Sequence, residues 1–414
     1  MKPEYANVKA LVVGLYGRQI GIITKLAGER QLFAFEQGYI DDPERPMLSL
    51  SFKSTTGGVV SSTRPVSRRV PPFFSNLLPE GPLREYLAKL ADVRSEGEFF
   101  LLAVLGADLP GAVVVEPMDA KVHADEPGKL KTSDAARDPR GALHFSLAGV
   151  QLKFSAVMEA TGGLTIPAGG MGGSWIVKLP SARFASVPEN EHAMLELARR
   201  VGIEVPLNQL VEISKINGLP EEARTVGTVA LAVERFDRRA NRTRVHMEDF
   251  AQVFGLYPND KYGHKSYANI ASVLWAEAGQ EATYEFVRRV VFSVVTGNAD
   301  MHLKNWSLLY PDRRTPILSP AYDLVSTLAY LPNDTLGLNF GDGRDLHEIK
   351  KDQIRRFAEA ARIPVSPIWK IVTETAERTA ENWKSLEHRD ALPKKIREAI
   401  ERQILGVAAA VRKQ

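Results

Sequence analysis

No cysteine occurs anywhere in the 414 residues. Disulfide scaffolds, thiolate metal sites and cysteine nucleophiles are therefore excluded together. Long apolar runs are missing as well, and no stretch approaches the ~18 residues needed to span a bilayer. The opening Met1-Lys-Pro-Glu-Tyr-Ala-Asn7 lacks the basic and apolar regions of a signal peptide. The expected location is the cytoplasm, with no membrane partner. Net charge is small too: 53 Lys plus Arg stand against 50 Asp plus Glu, a formal +3. That balance does not suit a protein coating nucleic acid, and it leaves any DNA contact to a local patch or a partner. There is no internal repeat and no low-complexity segment. What is present is 44% hydrophobic and 25% charged, the profile of a soluble globular protein. The length calls for two or three domains or lobes.

Residues 8 to 24 hold two β-branched runs on either side of Gly17-Arg18, the pattern of a tight hairpin. Further strands are expected at Gln31 to Phe35 and Met47 to Phe52. Pro71-Pro72 ends this pattern, and helices are expected from near Pro82 and over Glu96 to Leu105, the second stopping at Gly106. Residues 119–142 are polar, contain Pro127, Gly128, Pro139 and Gly141, and read as a linker. Strands follow at Leu143 to Leu147, Lys153 to Val157 and Trp175 to Leu179. Then come an amphipathic helix over Glu189 to Val201 and strands at Asn208 to Ile213 and Val226 to Phe236. From Glu248 the periodicity is helical, with runs at Tyr267 to Ala278, Glu281 to Thr296, Lys351 to Ala361, Pro367 to Trp383 and Lys394 to Val411.

The sharpest local signal is Gly297-Asn-Ala-Asp300-Met-His-Leu-Lys-Asn305, followed by an apolar strand-like run. An Asp and an Asn separated by four residues have the spacing of a kinase catalytic loop. One residue accepts or orients the proton of an attacking hydroxyl, and the other offers an amide oxygen to Mg²⁺. Downstream, Leu318-Ser-Pro-Ala-Tyr-Asp323 supplies a second oxygen ligand for a hard cation. The pair also occurs by chance as a turn with Asx side-chain bonds, and Asp323 alone reads equally well as a helix N-cap. Upstream, Ser146-Leu-Ala148-Gly149-Val150-Gln151-Leu-Lys153 lies between strand-like segments, where a phosphate-covering loop would sit. Its single glycine makes it no G-x-G-x-x-G. Lys178, inside an apolar strand, is either an edge-strand snorkeller or a ligand for nucleotide phosphates. Glu191, thirteen residues on, is either its partner or part of a solvated helix face. Glu234-Arg235-Phe236 closes the second β unit, and is either where an adenine ring would meet backbone groups or simply a polar linker with one buried aromatic.

With these residues in place the chain resembles the HipA family of bacterial toxin kinases. The resemblance is carried by Phe145 to Lys153, Ile176-Val-Lys-Leu-Pro180, Val233-Glu-Arg-Phe-Asp-Arg238, His246-Met-Glu-Asp-Phe250, Gly297 to Asn305 and Ala321-Tyr-Asp-Leu324. It extends to Phe74-Ser-Asn-Leu-Leu-Pro-Glu-Gly81 and Leu101 to Gly111, and so runs along nearly the whole chain in order. It implies an α+β, two-lobed, protein-kinase-like fold: an extra N-terminal β-rich subdomain (1–118), the linker (119–142), a β-rich N-lobe (143–236) and a helical C-lobe (237–414). It also implies an ATP- and Mg²⁺-dependent kinase that phosphorylates cellular proteins on Ser or Thr, aminoacyl-tRNA synthetases among them, and so arrests growth. The implied partner is a helix-turn-helix, HipB-like antitoxin, which carries the protein to operator DNA. By the matching motifs Asp300 would be the catalytic base, Asn305 and Asp323 the metal ligands, and Lys178 the phosphate-binding lysine. Ala148, Gly149, Val150, Gln151 and Lys153 would cover the nucleotide, and Glu234, Arg235 and Phe236 would form the hinge.

Ser146 matches the serine that the family autophosphorylates. A phosphate there adds roughly −1.5 to −2 charge where the phosphates of ATP must sit, which makes an off-switch. His302 and Lys304 flank the loop as candidates for steering the hydroxyl and neutralising the transferred phosphoryl group; the ordinary alternatives are a backbone-bonded histidine and a solvated lysine. Two positions depart from the family's pattern, Met301 for a common glycine and Leu152 for a frequent polar residue, and neither removes a catalytic group. The rival readings are an aminoglycoside-type small-molecule phosphotransferase and a catalytically weak corepressor acting with its antitoxin.

Overall fold

The computed structural model describes residues 7–118, 152–159, 163–166, 173–219, 221–239, 241 and 243–414. The 119–142 linker, the Leu143 to Leu147 strand and the positions Ser146, Ala148, Gly149, Val150 and Gln151 lie outside the described residues.

The first sheet has the order β4-β3-β2-β1-β5, from β1 (Ala10–Leu15), β2 (Arg18–Leu26), β3 (Arg30–Phe35), β4 (Val66–Ser67) and β5 (Val113–Pro117). Strand β1 alternates as its pleat requires, with Leu11, Val13 and Leu15 buried. The hairpin turn falls on Tyr16-Gly17, both at positive φ as the tightest hairpins demand, and Arg18 already pairs with Leu15. The expected turn was one residue further on. Strand β5 was not foreseen, because its short Val-Val-Val follows a loop with no alternating pattern. The Met47 to Phe52 strand does not form. Ser49 instead caps a short 3-10 turn over Leu50–Phe52, taking the amide of Ser51 on its hydroxyl.

The second sheet runs β10-β7-β6-β8-β11-β9, with β6 (Lys153–Met158), β7 (Leu164–Thr165), β8 (Trp175–Lys178), β9 (Asn208–Glu212), β10 (Ile216–Asn217) and β11 (Val229–Glu234). Its register decides what faces the cleft. Lys153 pairs with Lys178 and Lys178 with Leu231, while the adjacent row is Phe154, Val177 and Ala232. Because neighbours on a strand point to opposite faces, both lysines share one face. Phe154, Val177 and Ala232 join Leu11, Phe33 and Leu102 in one apolar cluster, so the N-terminal unit covers the back of this sheet. The helix Val187–Val201 buries Ala193, Leu197 and Ala198 in the other cluster, with the C-terminal helices. Gly202, at φ +90°, ends it in the left-handed conformation that closes many helices.

The remainder is helical at Tyr267–Glu277, Gly279–Thr296, Lys351–Ala361, Val365–Lys384 and Lys394–Arg412, each within two residues of expectation at either end. Inside it sits a small antiparallel sheet, β12 (His246–Asp249), β13 (Ser307–Tyr310) and β14 (Ile317–Leu318), in the order β12-β13-β14. The segment from Gly297 to Trp306 joins the long helix to β13 and is thereby pinned at both ends. Among the described residues no helix is long and apolar enough to cross a membrane.

Candidate active site

Lys178 stands at the end of β8 and Glu191 on the facing helix, and both are buried. The ammonium group of Lys178 donates to the Glu191 carboxylate and to Asp323 Oδ1 at the same time. Glu191 is therefore not on a solvated face, and Lys178 is no snorkeller. Lys153, one strand across in register, reaches Asp323 Oδ2 at 3.2 Å. Burial opposes ionisation of Asp323, but the two lysines outweigh it and hold its carboxyl well below the usual range. Burial likewise disfavours the charged Lys178, and Asp323 with Glu191 more than compensate, so its ammonium form persists. Asp323 has φ +54°, a left-handed backbone seldom adopted outside glycine and better tolerated by Asp. No helix starts at Leu324; the next helical turn is Thr327–Ala329, so the N-cap alternative for Asp323 does not hold. Such local strain is common where a side chain is held for function.

Asp300 and Asn305 are organised by their own loop. Asn298 Oδ1 accepts the amide of Asp300 at 3.2 Å, and Asn305 Nδ2 donates to the Asp300 carbonyl at 2.7 Å. With its nitrogen so engaged, the Asn305 amide oxygen is the atom left to meet a cation. Asn298 Nδ2 also lies 3.5 Å from the Asp323 carbonyl, which ties the two acidic segments together. Asp300 opens to solvent at one edge. The protein packed around it still removes enough water to raise its carboxyl, against the hydrogen bond from Tyr262, which lowers it. That bond, Tyr262 hydroxyl to Asp300 Oδ1, is 2.5 Å long.

Two expected roles need correction. Lys304 does not point to a transferring phosphoryl group. It is buried and donates to the Asn76 carbonyl at 2.8 Å and Asn76 Oδ1 at 3.1 Å, with Glu80 at 3.3 Å and Asp249 at 3.4 Å. Asn76 in turn donates to the Leu256 carbonyl, and Glu80 pairs with Lys261. The Phe74 to Gly81 stretch thus grips the underside of the Gly297 to Asn305 loop, and Lys304 is the grip. His302 is buried edge-on against Tyr262, with ring centroids 5.1 Å apart. Burial, with Lys261 nearby, pushes its ring down to about 3, so no imidazolium is available to steer a phosphate.

In the segment expected to form the hinge, the amide of Glu234 is taken by the Leu207 carbonyl and that of Arg235 by the Ser174 carbonyl, each at 2.8 Å. Phe236 lies against Tyr322, centroids 5.6 Å apart, as an apolar wall. The Arg235 side chain turns away from the cleft into a buried pairing with Asp237. Lys153, Lys178, Glu191, Asn298, Asp300, Asn305 and Asp323 thus form one linked constellation, with Phe236 and Tyr322 alongside. Sequence reading missed Tyr262, whose Asp-Lys-Tyr-Gly context marks only a turn; Asn298 makes the Asx bond read for that stretch and in addition reaches towards the Asp323 carbonyl.

A β-sheet lobe bearing a buried Lys–Glu pair, set against a helical lobe bearing an Asp-to-Asn loop, defines a two-lobed, protein-kinase-like architecture. The solved structure of HipA from Shewanella oneidensis, in complex with HipB and operator DNA, superposes with a TM-score of 0.70 at 22% identity, covering 98% of this chain and 99% of that one. The family model for the HipA-like C-terminal domain matches residues 145–383, and that for the HipA N-terminal domain matches residues 11–116. The chain belongs to the HipA family of kinases. Y4dM of Sinorhizobium fredii, a kinase by name, is 49% identical over 92% of this chain and 91% of its own length. The serine/threonine-protein kinase toxin HipA of Shewanella oneidensis is 25% identical over 75% of this chain and 76% of its own length.

Proposed function

We propose that this chain is the toxin of a type II toxin–antitoxin module, a Mg-ATP-dependent kinase that phosphorylates Ser or Thr of a cellular protein and so arrests growth. An aminoacyl-tRNA synthetase fits as target class, and a HipB-like helix-turn-helix protein fits as the partner that reaches operator DNA. The observation that carries the reading is the single ammonium group of Lys178 held between Glu191 and Asp323. That arrangement fixes a cation where nucleotide phosphates must lie, beside a carboxylate suited to the metal.

Asn305 and Asp323 fit Mg²⁺, since both offer hard oxygens, and Mg²⁺ characteristically takes only one or two protein ligands beside phosphate oxygens. When bound, the ion neutralises charge on the phosphates. Lys178 supplies a fixed positive charge to those phosphates, and Glu191 keeps it aimed. Lys153, which now holds Asp323 Oδ2, would be free to follow the phosphate charge if that carboxylate held the metal. Asp300 orients the acceptor hydroxyl and takes its proton, and the burial that raises its carboxyl makes it a better base for that task. Phosphorylation of Ser146, the off-switch that the family resemblance implies, would add negative charge in competition with the phosphates of ATP.

The test is the intact mass of protein incubated with Mg²⁺ and ATP. Wild type is expected to gain one phosphoryl group at Ser146, while Asp300→Ala and Asp323→Ala, each slowed roughly 10³-fold or more, gain none in the same time. ATP binding without self-modification would remove the Ser146 switch. Absence of both modification and ATP binding would favour the corepressor reading.

A further inference from the structure

Tyr262 belongs to no part of the phosphoryl-transfer machinery described above, yet its hydroxyl makes a 2.5 Å bond to Asp300. That is the atom from which an acceptor hydroxyl must hang if Asp300 is to take its proton. A second feature concerns freedom of movement. Tyr262 sits in an exposed turn, is itself 42% exposed, and is followed by Gly263 at φ +81°. The turn is anchored on both sides. Before it, the Lys261 carbonyl accepts the Leu303 amide at 3.3 Å and Lys261 pairs with Glu80 at 2.8 Å. After it, the Tyr267 hydroxyl donates to the Met301 carbonyl at 2.9 Å. Tyr262 therefore hangs by its own side-chain torsions between two fixed points, its ring set edge-to-face with His302 and with the Lys261 ammonium 5.7 Å from its centroid. A packing residue has no need of an exposed turn, and a catalytic acid has no need to occupy the acceptor's place.

Resting on the kinase reading, we propose that Tyr262 gates the acceptor site: its phenol stands in for the incoming hydroxyl on Asp300 and must swing out before an acceptor can bind. The gate sets a threshold for acceptors. A hydroxyl arriving alone competes poorly with a tethered phenol, because the tether makes the competing contact intramolecular. A protein segment that also engages the exposed ring, or displaces the turn, competes well. Water is held off by the same device, so the resting protein hydrolyses ATP slowly.

The experiment compares wild type, Tyr262→Phe and Tyr262→Ala in two measurements: Mg-ATP affinity, and Mg-ATP hydrolysis with water as acceptor. Phe keeps the ring against His302 and loses only the hydroxyl, so a merely structural role would be rescued in that variant. The gate predicts that both variants hydrolyse Mg-ATP faster, by roughly tenfold, the worth of one hydrogen bond to a charged group. Their Mg-ATP affinity should stay within about twofold of wild type, since no nucleotide ligand has changed. Three outcomes overturn it: Tyr262→Phe matching wild type while Tyr262→Ala differs, both variants hydrolysing no faster, or nucleotide binding without hydrolysis in all three. Absence of Mg-ATP binding in the wild type would instead overturn the kinase reading on which the gate rests.

Discussion

At the cleft, one carboxylate, Asp323, is shared by two lysines, and the pair with Glu191 completes the set. Behind the hinge, two arginines and two aspartates are buried together in a different manner. Arg235 meets Asp237 through two parallel bonds of 2.9 and 2.8 Å. Arg238 bridges Asp237 at 2.8 Å and Asp108 at 2.9 Å, and it also donates to the carbonyls of Leu109 and Gly111. The Gly111 amide returns a bond to Asp237. Here the main chain of Leu109 and Gly111 joins the side-chain pairs, and the loop from Asp108 to Gly111 is stapled to the segment from Arg235 to Arg238. Gly111 is required at that staple: its φ is +76°, and a Cβ would come within 2.8 Å of the Met247 amide.

Burial of charge therefore does not by itself distinguish a working site from a joint. The joint uses arginine, whose planar fork matches carboxylates and whose charge cannot be removed. The cleft uses lysines, compact charges on flexible stems, and gathers them on a carboxylate that has a second task. Asp323 carries the left-handed backbone, whereas Asp108, Arg235, Asp237 and Arg238 are absent from the positive-φ residues. A fork-paired arginine–aspartate network with unstrained backbone is fit to hold domains together; a lysine-shared carboxylate is fit to exchange its partners for a metal.

The comparison is broken most forcefully at Arg238. Arg238→Ala leaves Asp108 and Asp237 buried with too little positive charge, a loss expected to cost about 3–5 kcal/mol of stability. Denaturant unfolding measures it, and a change below about 1 kcal/mol would show that the joint is not structural. A smaller effect is expected where the N-terminal unit meets β12. Glu248 accepts from Ser49 Oγ at 2.5 Å, from the Leu50 amide at 3.0 Å and from the Tyr310 hydroxyl, yet burial outweighs these donors and raises its carboxyl to about 7. The folded state holds a proton that the unfolded chain releases at the ordinary value of 4.5, so stability is present below that value and falls as pH rises towards 7. The full difference is about 3 kcal/mol at 1.36 kcal/mol per unit. Glu248→Gln should flatten unfolding stability between pH 4.5 and 7 relative to wild type. A slope unchanged by the substitution would assign the pH dependence elsewhere. Asp237 works the other way: its arginines outweigh burial and hold it low, so its contribution is lost only in acid.

Much of this was legible in the chain. Helix periodicity over Gly279–Thr296 and Lys394–Arg412 survives because each helix buries one stripe, and β6 and β8 form within a residue of the strand-like stretches at Lys153 to Val157 and Trp175 to Leu179. The Lys178–Glu191 pairing was readable as spacing between a strand and a helix. What escaped were matters decided across long stretches of chain. Lys304 looks like a loop cation until Asn76 and Glu80, more than two hundred residues earlier, are brought beneath it. Ser49 breaks its strand because Glu248 takes its hydroxyl and the next amide. Tyr262 acquires meaning only when its turn is folded over Asp300. Short strands such as β5 and β14 carry too few residues for any period to show.

The central claim is that the cleft cluster is a nucleotide site and the hinge cluster is not. Its most direct test is the rise in unfolding temperature produced by Mg-ATP in three proteins: wild type, Asp323→Ala and Arg238→Lys. A ligand at about 100 times its Kd stabilises the folded state by roughly 2.7 kcal/mol, which thermal unfolding resolves readily. The account predicts equal rises for wild type and Arg238→Lys, the latter from a lower starting temperature, and none for Asp323→Ala. A full rise in Asp323→Ala, or its loss in Arg238→Lys, would contradict it.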